Sequence, residues 1–118
     1  MKKIHHLSSC NTCQRIIKEL ELESRGFEMQ DIKQQNISAE ELDLAKEKVG
    51  TYEALFSKRA MKFRSMGLNE MNLTEADYRK YILEEYTFLK RPFIWTRDEL
   101  FVGNAKKTIE AAKSELGE

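Results

Sequence analysis

Two cysteines separated by two residues, Cys10-Asn11-Thr12-Cys13, stand where the hydrophobic pattern of the chain changes period. Before them, Lys3-Ile4-His5-His6-Leu7 is short and β-prone and reads as a buried strand. After them, Cys13, Ile16, Ile17 and Leu20 recur at helical spacing, so one face packs inward over residues 13–23. The pair therefore sits at a strand-to-helix turn. The first cysteine falls at or just before the helix start, where unpaired backbone N–H groups and the positive end of the helix dipole favour a thiolate. The second lies about one helical turn on, close enough to attack a bond formed at the first. A Cys-x-x-Cys in this setting reads as a redox motif, and the fold has to present it.

The rest of the chain narrows the choice. Arg25-Gly26 is the expected helix stop, and Phe27 to Ile32 reads as a second strand, which completes a β-α-β unit with a right-handed crossover if the strands are parallel. Ser38-Ala39-Glu40-Glu41 forms a capping box before a helix with Leu42, Ala45 and Val49 on one face, ended by Gly50. Thr51 to Met66 is expected to hold one or two short helices ended by Gly67, with Leu55, Phe56, Met61, Phe63 and Met66 apolar. Lys48, Lys58, Arg59, Lys62 and Arg64 lie among them. Thr74-Glu75-Ala76-Asp77 opens a further helix, expected to run to about Phe88. The period then returns to that of a hairpin: Arg91 to Trp95, a polar turn at Thr96 to Glu99, and Leu100-Phe101-Val102. Asn104 is the expected cap of a last helix carrying Ala105, Ile109, Ala112 and Leu116.

Composition excludes several classes of function. The 118 residues and 41% hydrophobic content fit a single domain over 1–118 with a real core. The 20 basic and 20 acidic side chains cancel, so no direct nucleic-acid binding is expected. No apolar run approaches the roughly 20 residues of a membrane helix, and Lys2-Lys3 is not followed by a signal-peptide core. The expectation is a cytoplasmic protein without membrane contact, where a close cysteine pair serves as reactive thiols rather than as a staple. A zinc site would need about four ligands, and His5 and His6 point to opposite faces of a strand, so no metal is expected.

The order β-α-β, helices, β-β-α resembles a thioredoxin-like (glutaredoxin-like) α/β fold, with a mixed four-stranded sheet and a helical insertion over 36–89. Pro92 is the only proline, and in such folds a proline at this place is cis beside the cysteine loop. The Cys-x-x-Cys after strand one, the helical insertion, Leu89-Lys90-Arg91-Pro92 before the hairpin, and Val102-Gly103-Asn104 at its end together resemble the arsenate reductase family of glutaredoxin-coupled type, with its relatives the Spx regulators.

The resemblance implies roles residue by residue. Cys10 matches the family nucleophile, His6 the histidine four residues before it, and Arg91 the oxyanion-binding arginine before the proline. Lys58-Arg59 lies in the stretch that supplies a second arginine, which makes Arg59 the candidate, although Ser57-Lys58-Arg59 is closer to the Spx pattern. The third family arginine falls near Val102-Gly103, where this chain has none. Arginine forks match tetrahedral oxyanions through paired charge-assisted bonds, so that departure bears directly on the substrate. Cys13 is a second departure, since many of these reductases have no cysteine there. It is a candidate to resolve an adduct on Cys10.

The implied activity is arsenate reduction with arsenate as the small oxyanion substrate, glutathione as co-substrate, glutaredoxin or thioredoxin as reducing partner, and no bound cofactor. Two alternatives stand beside it. One is an Spx-like redox switch that binds the RNA polymerase alpha subunit; such regulators carry a basic extension after the last helix, whereas this sequence stops at Gly117-Glu118. The other is a thiol-disulfide oxidoreductase with no arsenate chemistry.

Overall fold

The computed structural model describes residues 1–117 as two compact units, one of Met1–Gln35 with the chain from Arg91 onward, the other of Asn36–Lys90. The first unit holds β1 (Lys3–His6), α1 (Asn11–Glu19), β2 (Glu28–Asp31), β3 (Phe93–Trp95), β4 (Leu100–Val102) and, as its last helix, α5 (Lys106–Gly117). The second holds α2 (Ala39–Val49), α3 (Met61–Ser65) and α4 (Glu75–Glu84), with single 3-10 turns at Glu53–Leu55, Leu68–Glu70 and Tyr86–Phe88.

The sheet is mixed, in the order β2-β1-β3-β4. β1 runs parallel to β2, with Ile4 opposite Met29 and His6 opposite Asp31. β1 is antiparallel to β3, with Ile4 opposite Ile94 and His5 opposite Phe93, and β3 is antiparallel to β4. Alternation along β1 sorts its side chains between two faces. Ile4 shares one face with Ile94, and there they pack with Ile16, Ile17 and Leu20 of the α1 segment and Ile109 and Ala112 of α5. Burying each of the isoleucine and leucine side chains among them stabilises the fold by about 1.5–3 kcal/mol. His5 faces the other way, where it accepts a hydrogen bond from Trp95 Nε1 at 3.0 Å and meets Phe93 and Trp95 edge-on. That fully buried indole N–H thus finds its acceptor in a side chain of the neighbouring strand.

Helix α1 ends earlier than the apolar spacing suggests. Leu20 closes it, Glu21 takes the left-handed conformation at φ 55°, the Leu22 amide donates to the Ile17 carbonyl and the Glu21 amide to the Lys18 carbonyl. This is a Schellman closure with a glutamate at the position that glycine normally takes. Leu22 remains in the core because the closure folds it back beside Ile17 rather than because the helix continues. Gly26, at φ 82°, turns the chain into β2.

In the second unit both expected helix starts are capping boxes, Ser38 with Glu41 and Thr74 with Asp77. An aromatic cluster forms its centre: Phe56 stacks on Phe88 at 4.9 Å and meets Tyr78 and Phe63 edge-on. Three details differ from expectation. Helix α4 stops at Glu84 because Glu85 turns extended, and the Glu85 carboxylate accepts the Thr87 amide to start a separate 3-10 turn. Val49 and Met61 are exposed rather than core, since α2 turns its buried face at Leu42 and Ala45 only and α3 buries no residue at all. In the first unit, α5 starts one residue later than an Asn104 cap requires, with its first bond running from Ile109 N to the Ala105 carbonyl.

No helix among the described residues is long and apolar enough to cross a membrane.

Candidate active site

Cys10 is the N-cap of α1. Its backbone is extended (φ −93°, ψ 109°), and its amide donates to the Leu7 carbonyl at 3.0 Å, which closes the Ser8-Ser9 turn. Its Sγ accepts the Cys13 backbone N–H at 3.5 Å. The sulfur thus occupies the place that a serine or aspartate oxygen takes in an ordinary cap. There it meets one of the unpaired amides and the positive end of a nine-residue helix. Cys10 is partly exposed, whereas Cys13 is fully buried, and both are free thiols.

The two cysteines differ sharply in character. Burial pushes the Cys13 thiol up to about 12, and the neighbouring Cys10 sulfur adds to the rise, while a hydrogen bond with the Leu7 backbone and the Arg91 charge pull the other way. Cys13 is therefore a protonated thiol at neutral pH.

His6 ends β1 on the face of Ile4 and is buried. Burial lowers its pKa below the usual 6.5, and the charge of Asp31 only partly opposes this, so the ring is neutral at pH 7. A neutral ring contributes an N–H rather than a positive charge. Arg91 immediately precedes Pro92, and the peptide bond between them is cis. Arg91 is half-buried, and its charge is felt at Cys13, so it belongs to the cysteine neighbourhood. The Pro92 carbonyl accepts the Gly103 amide at 2.9 Å, which puts the arginine-free Val102-Gly103 corner beside the proline.

Arg59 lies in the second unit, exposed in the turn after Ser57. Its neighbours Lys58 and Lys62 are engaged by Glu53 and Glu85, each at 2.7 Å. Its part in the chemistry rests on the resemblance alone.

Two further residues come into the site that sequence reading passed over. The Gln14 side-chain amide reaches His6 Nδ1 at 3.3 Å and the Leu7 carbonyl at 3.1 Å. The Asp31 carboxylate accepts the Ser8 amide at 3.3 Å and the Lys33 amide at 3.2 Å, and these bonds hold its pKa below the usual value against the effect of desolvation. Asp31 could have been found as the β2 residue in register with His6, but only once the pairing was known. Among the described residues no group of three or more His, Cys, Asp and Glu side chains is placed to hold a metal ion.

A parallel β-α-β start, an antiparallel hairpin entered through a cis-proline, and a cysteine capping the first helix define a thioredoxin-like protein with a thiol at its centre. The family can be stated as well: the ArsC family model matches residues 5–112, and the chain belongs to that family. Among solved structures, it is similar to an arsenate reductase from Vibrio cholerae, with 15% identity and a TM-score of 0.76, covering 98% of each chain. An arsenate reductase (ArsC) related protein from Brucella melitensis is 26% identical, with a TM-score of 0.70, over 94% of this chain and 93% of that one. No curated protein sequence matches.

Proposed function

We propose that this protein is an arsenate reductase-like thiol oxidoreductase that uses Cys10 as nucleophile and glutathione as the second thiol. The observation that carries the reading is the Cys10 sulfur as helix cap, accepting the Cys13 amide, with the Arg91 charge in the same neighbourhood. The Cys10 thiolate attacks arsenic(V), an S–As bond forms, and an arsenate hydroxyl leaves as water after taking a proton from solvent. Arg91 and the helix N-terminus face the charge that develops on the remaining oxygens. Glutathione thiolate then attacks the Cys10 sulfur, and the S–As electron pair departs with arsenic as arsenite. Arsenic gains two electrons, and two thiols become a Cys10–glutathione mixed disulfide. A glutaredoxin or a thioredoxin returns Cys10 to the thiol in the cytoplasm.

Glutathione is preferred to Cys13 for the resolving step on magnitude. A thiol near 12 is ionised to about one part in 10⁵ at pH 7, against a few parts per hundred for an ordinary thiol near 8.5. Cys13 keeps the role of resolving thiol where glutathione is scarce.

The arginine-free corner at Val102-Gly103 favours a second reading, in which the same Cys10 attacks glutathione mixed disulfides and arsenate is a poor substrate. Losing one charge-assisted bond costs about 1.5–3 kcal/mol. The test is arsenate-dependent NADPH oxidation with glutathione, glutaredoxin and glutathione reductase supplied. Turnover that Cys10→Ser abolishes is the expected result. A reduced, folded wild type that turns over a glutathionylated peptide but not arsenate establishes the second reading, and a fully active Cys10→Ser variant overturns both.

A further inference from the structure

His6 has a ring nitrogen held by an amide, and the amide belongs to the helix that carries both cysteines. Gln14 Nε2 lies 3.3 Å from His6 Nδ1 and 3.1 Å from the Leu7 carbonyl. A side-chain NH₂ has two protons, and these two acceptors use both. Because the amide nitrogen can only donate, Nδ1 has to be the bare, accepting nitrogen of a neutral imidazole. The ring proton is then on Nε2. The same Leu7 carbonyl accepts the Cys10 amide, so Gln14 joins the ring to the turn that sets the Cys10 backbone.

We propose that Gln14 is a positioning residue of the thiol site: its side chain fixes His6 as the Nε2–H tautomer and ties the ring to the Leu7–Cys10 turn, so that the N–H of His6 and the sulfur of Cys10 are set by one amide. The inference rests on the reading of Cys10 as nucleophile for its functional half only; the tautomer stands or falls without it. The charged group that bears on His6 from the adjoining strand is Asp31 of β2, whose charge is felt at the ring. From α1 the ring meets the uncharged Gln14.

The first arm of the test is a long-range proton–nitrogen correlation spectrum of the reduced, full-length protein at pH 7, with His6→Asn to assign the His6 signals. A bare Nδ1 and a protonated Nε2 are expected, and a protonated Nδ1 overturns the proposal. This arm needs no Gln14 variant, so a variant that fails to fold does not shield the idea. In Gln14→Glu the carboxylate accepts from Nδ1, so the proton should appear there and the His6 titration midpoint should rise by about one pH unit or more. An unchanged His6 spectrum in that variant refutes the contact.

The second arm reads the function through Cys10 alkylation by limiting iodoacetamide, followed by peptide mass spectrometry. Gln14→Leu should change the rate about fivefold, equivalent to one neutral hydrogen bond of about 1 kcal/mol. That change should shrink in a His6→Asn background to the part that the Leu7 bond carries, because Gln14 acts on the site chiefly through His6. Persistence of the full effect without His6 refutes the positioning role. Neither arm uses arsenate, so a failure of arsenate turnover would count against the proposed substrate and not against Gln14.

Discussion

Cys13 offers the most quantitative check on the site, because one number separates two chemistries. The perturbation is Cys10→Ser, which leaves Cys13 as the sole thiol. The Cys13 thiol, ordinarily near 9.0, stands at about 12, and burial is the largest cause. Three pH units lower the thiolate population about a thousandfold at any pH below 9, since each unit is a factor of ten. Cys10→Ser removes the smaller part of the rise due to the neighbouring sulfur, so at least about a hundredfold should remain. Only the thiolate reacts with iodoacetamide, and burial slows access further, so this is a lower bound. The assay follows Cys13 alkylation by mass spectrometry from pH 7 to 10, in buffer and in denaturing urea. At pH 7 to 8 the native rate should lie at least a hundredfold below the unfolded one, and it should keep climbing up to pH 10 while the unfolded rate levels off near pH 9. A native rate within tenfold of the unfolded rate, or a plateau below pH 10, would refute the assignment of Cys13 as a buried, protonated thiol. It would also remove the reason for preferring glutathione in the resolving step.

Three more outcomes test the frame that holds the site. Glu21→Gly relieves a left-handed residue at the end of α1 and should stabilise the protein by about 0.5–1 kcal/mol, seen as a rise of a few degrees in thermal midpoint, whereas Glu21→Val should lower it. Phe56→Ala empties the centre of the aromatic cluster and should cost about 3–5 kcal/mol in urea unfolding; a loss under 1 kcal/mol would contradict the packing. The Asp43 carboxylate accepts from Arg79 at 2.8 Å and from Tyr52 Oη at 2.6 Å, and these partners hold its pKa at about 2. A depressed carboxylate stabilises the fold above its unfolded value near 3.8, and that contribution fades as pH falls towards 2. Asp43→Asn should therefore flatten the pH dependence of unfolding between about 4 and 2, and an unchanged acid limb would show that the pair contributes nothing.

What the sequence revealed and what it hid divide along physical lines. The strands, the cysteine turn, the Ser38 capping box, the helix start at Thr74 and the hairpin were legible because each depends on local pattern or on a local hydrogen bond. The end of α1 was not, since Ile16, Ile17, Leu20 and Leu22 keep a plausible helical spacing while Glu21 quietly breaks it. The stop at Glu84 was hidden for a similar reason: Tyr86 and Phe88 stay buried or half-buried in a separate turn. Gln14 and Asp31 escaped because their meaning is tertiary. A glutamine on a helix and an aspartate ending a strand are unremarked until register and packing bring them to His6 and Ser8. Arg91 was legible only through its neighbour Pro92 and the resemblance that the pair carries.

The Leu7 peptide has a bearing on how this site responds to mutation. Its carbonyl takes the Cys10 amide and the Gln14 side chain, and its backbone also bonds to Cys13. Tethers of the reactive turn thus end on main-chain atoms of Leu7 rather than on its side chain. The side chain at position 7 can drift among apolar types without loosening the cysteines. The geometry of the nucleophile hangs from main-chain atoms rather than from the identity of the side chain at position 7.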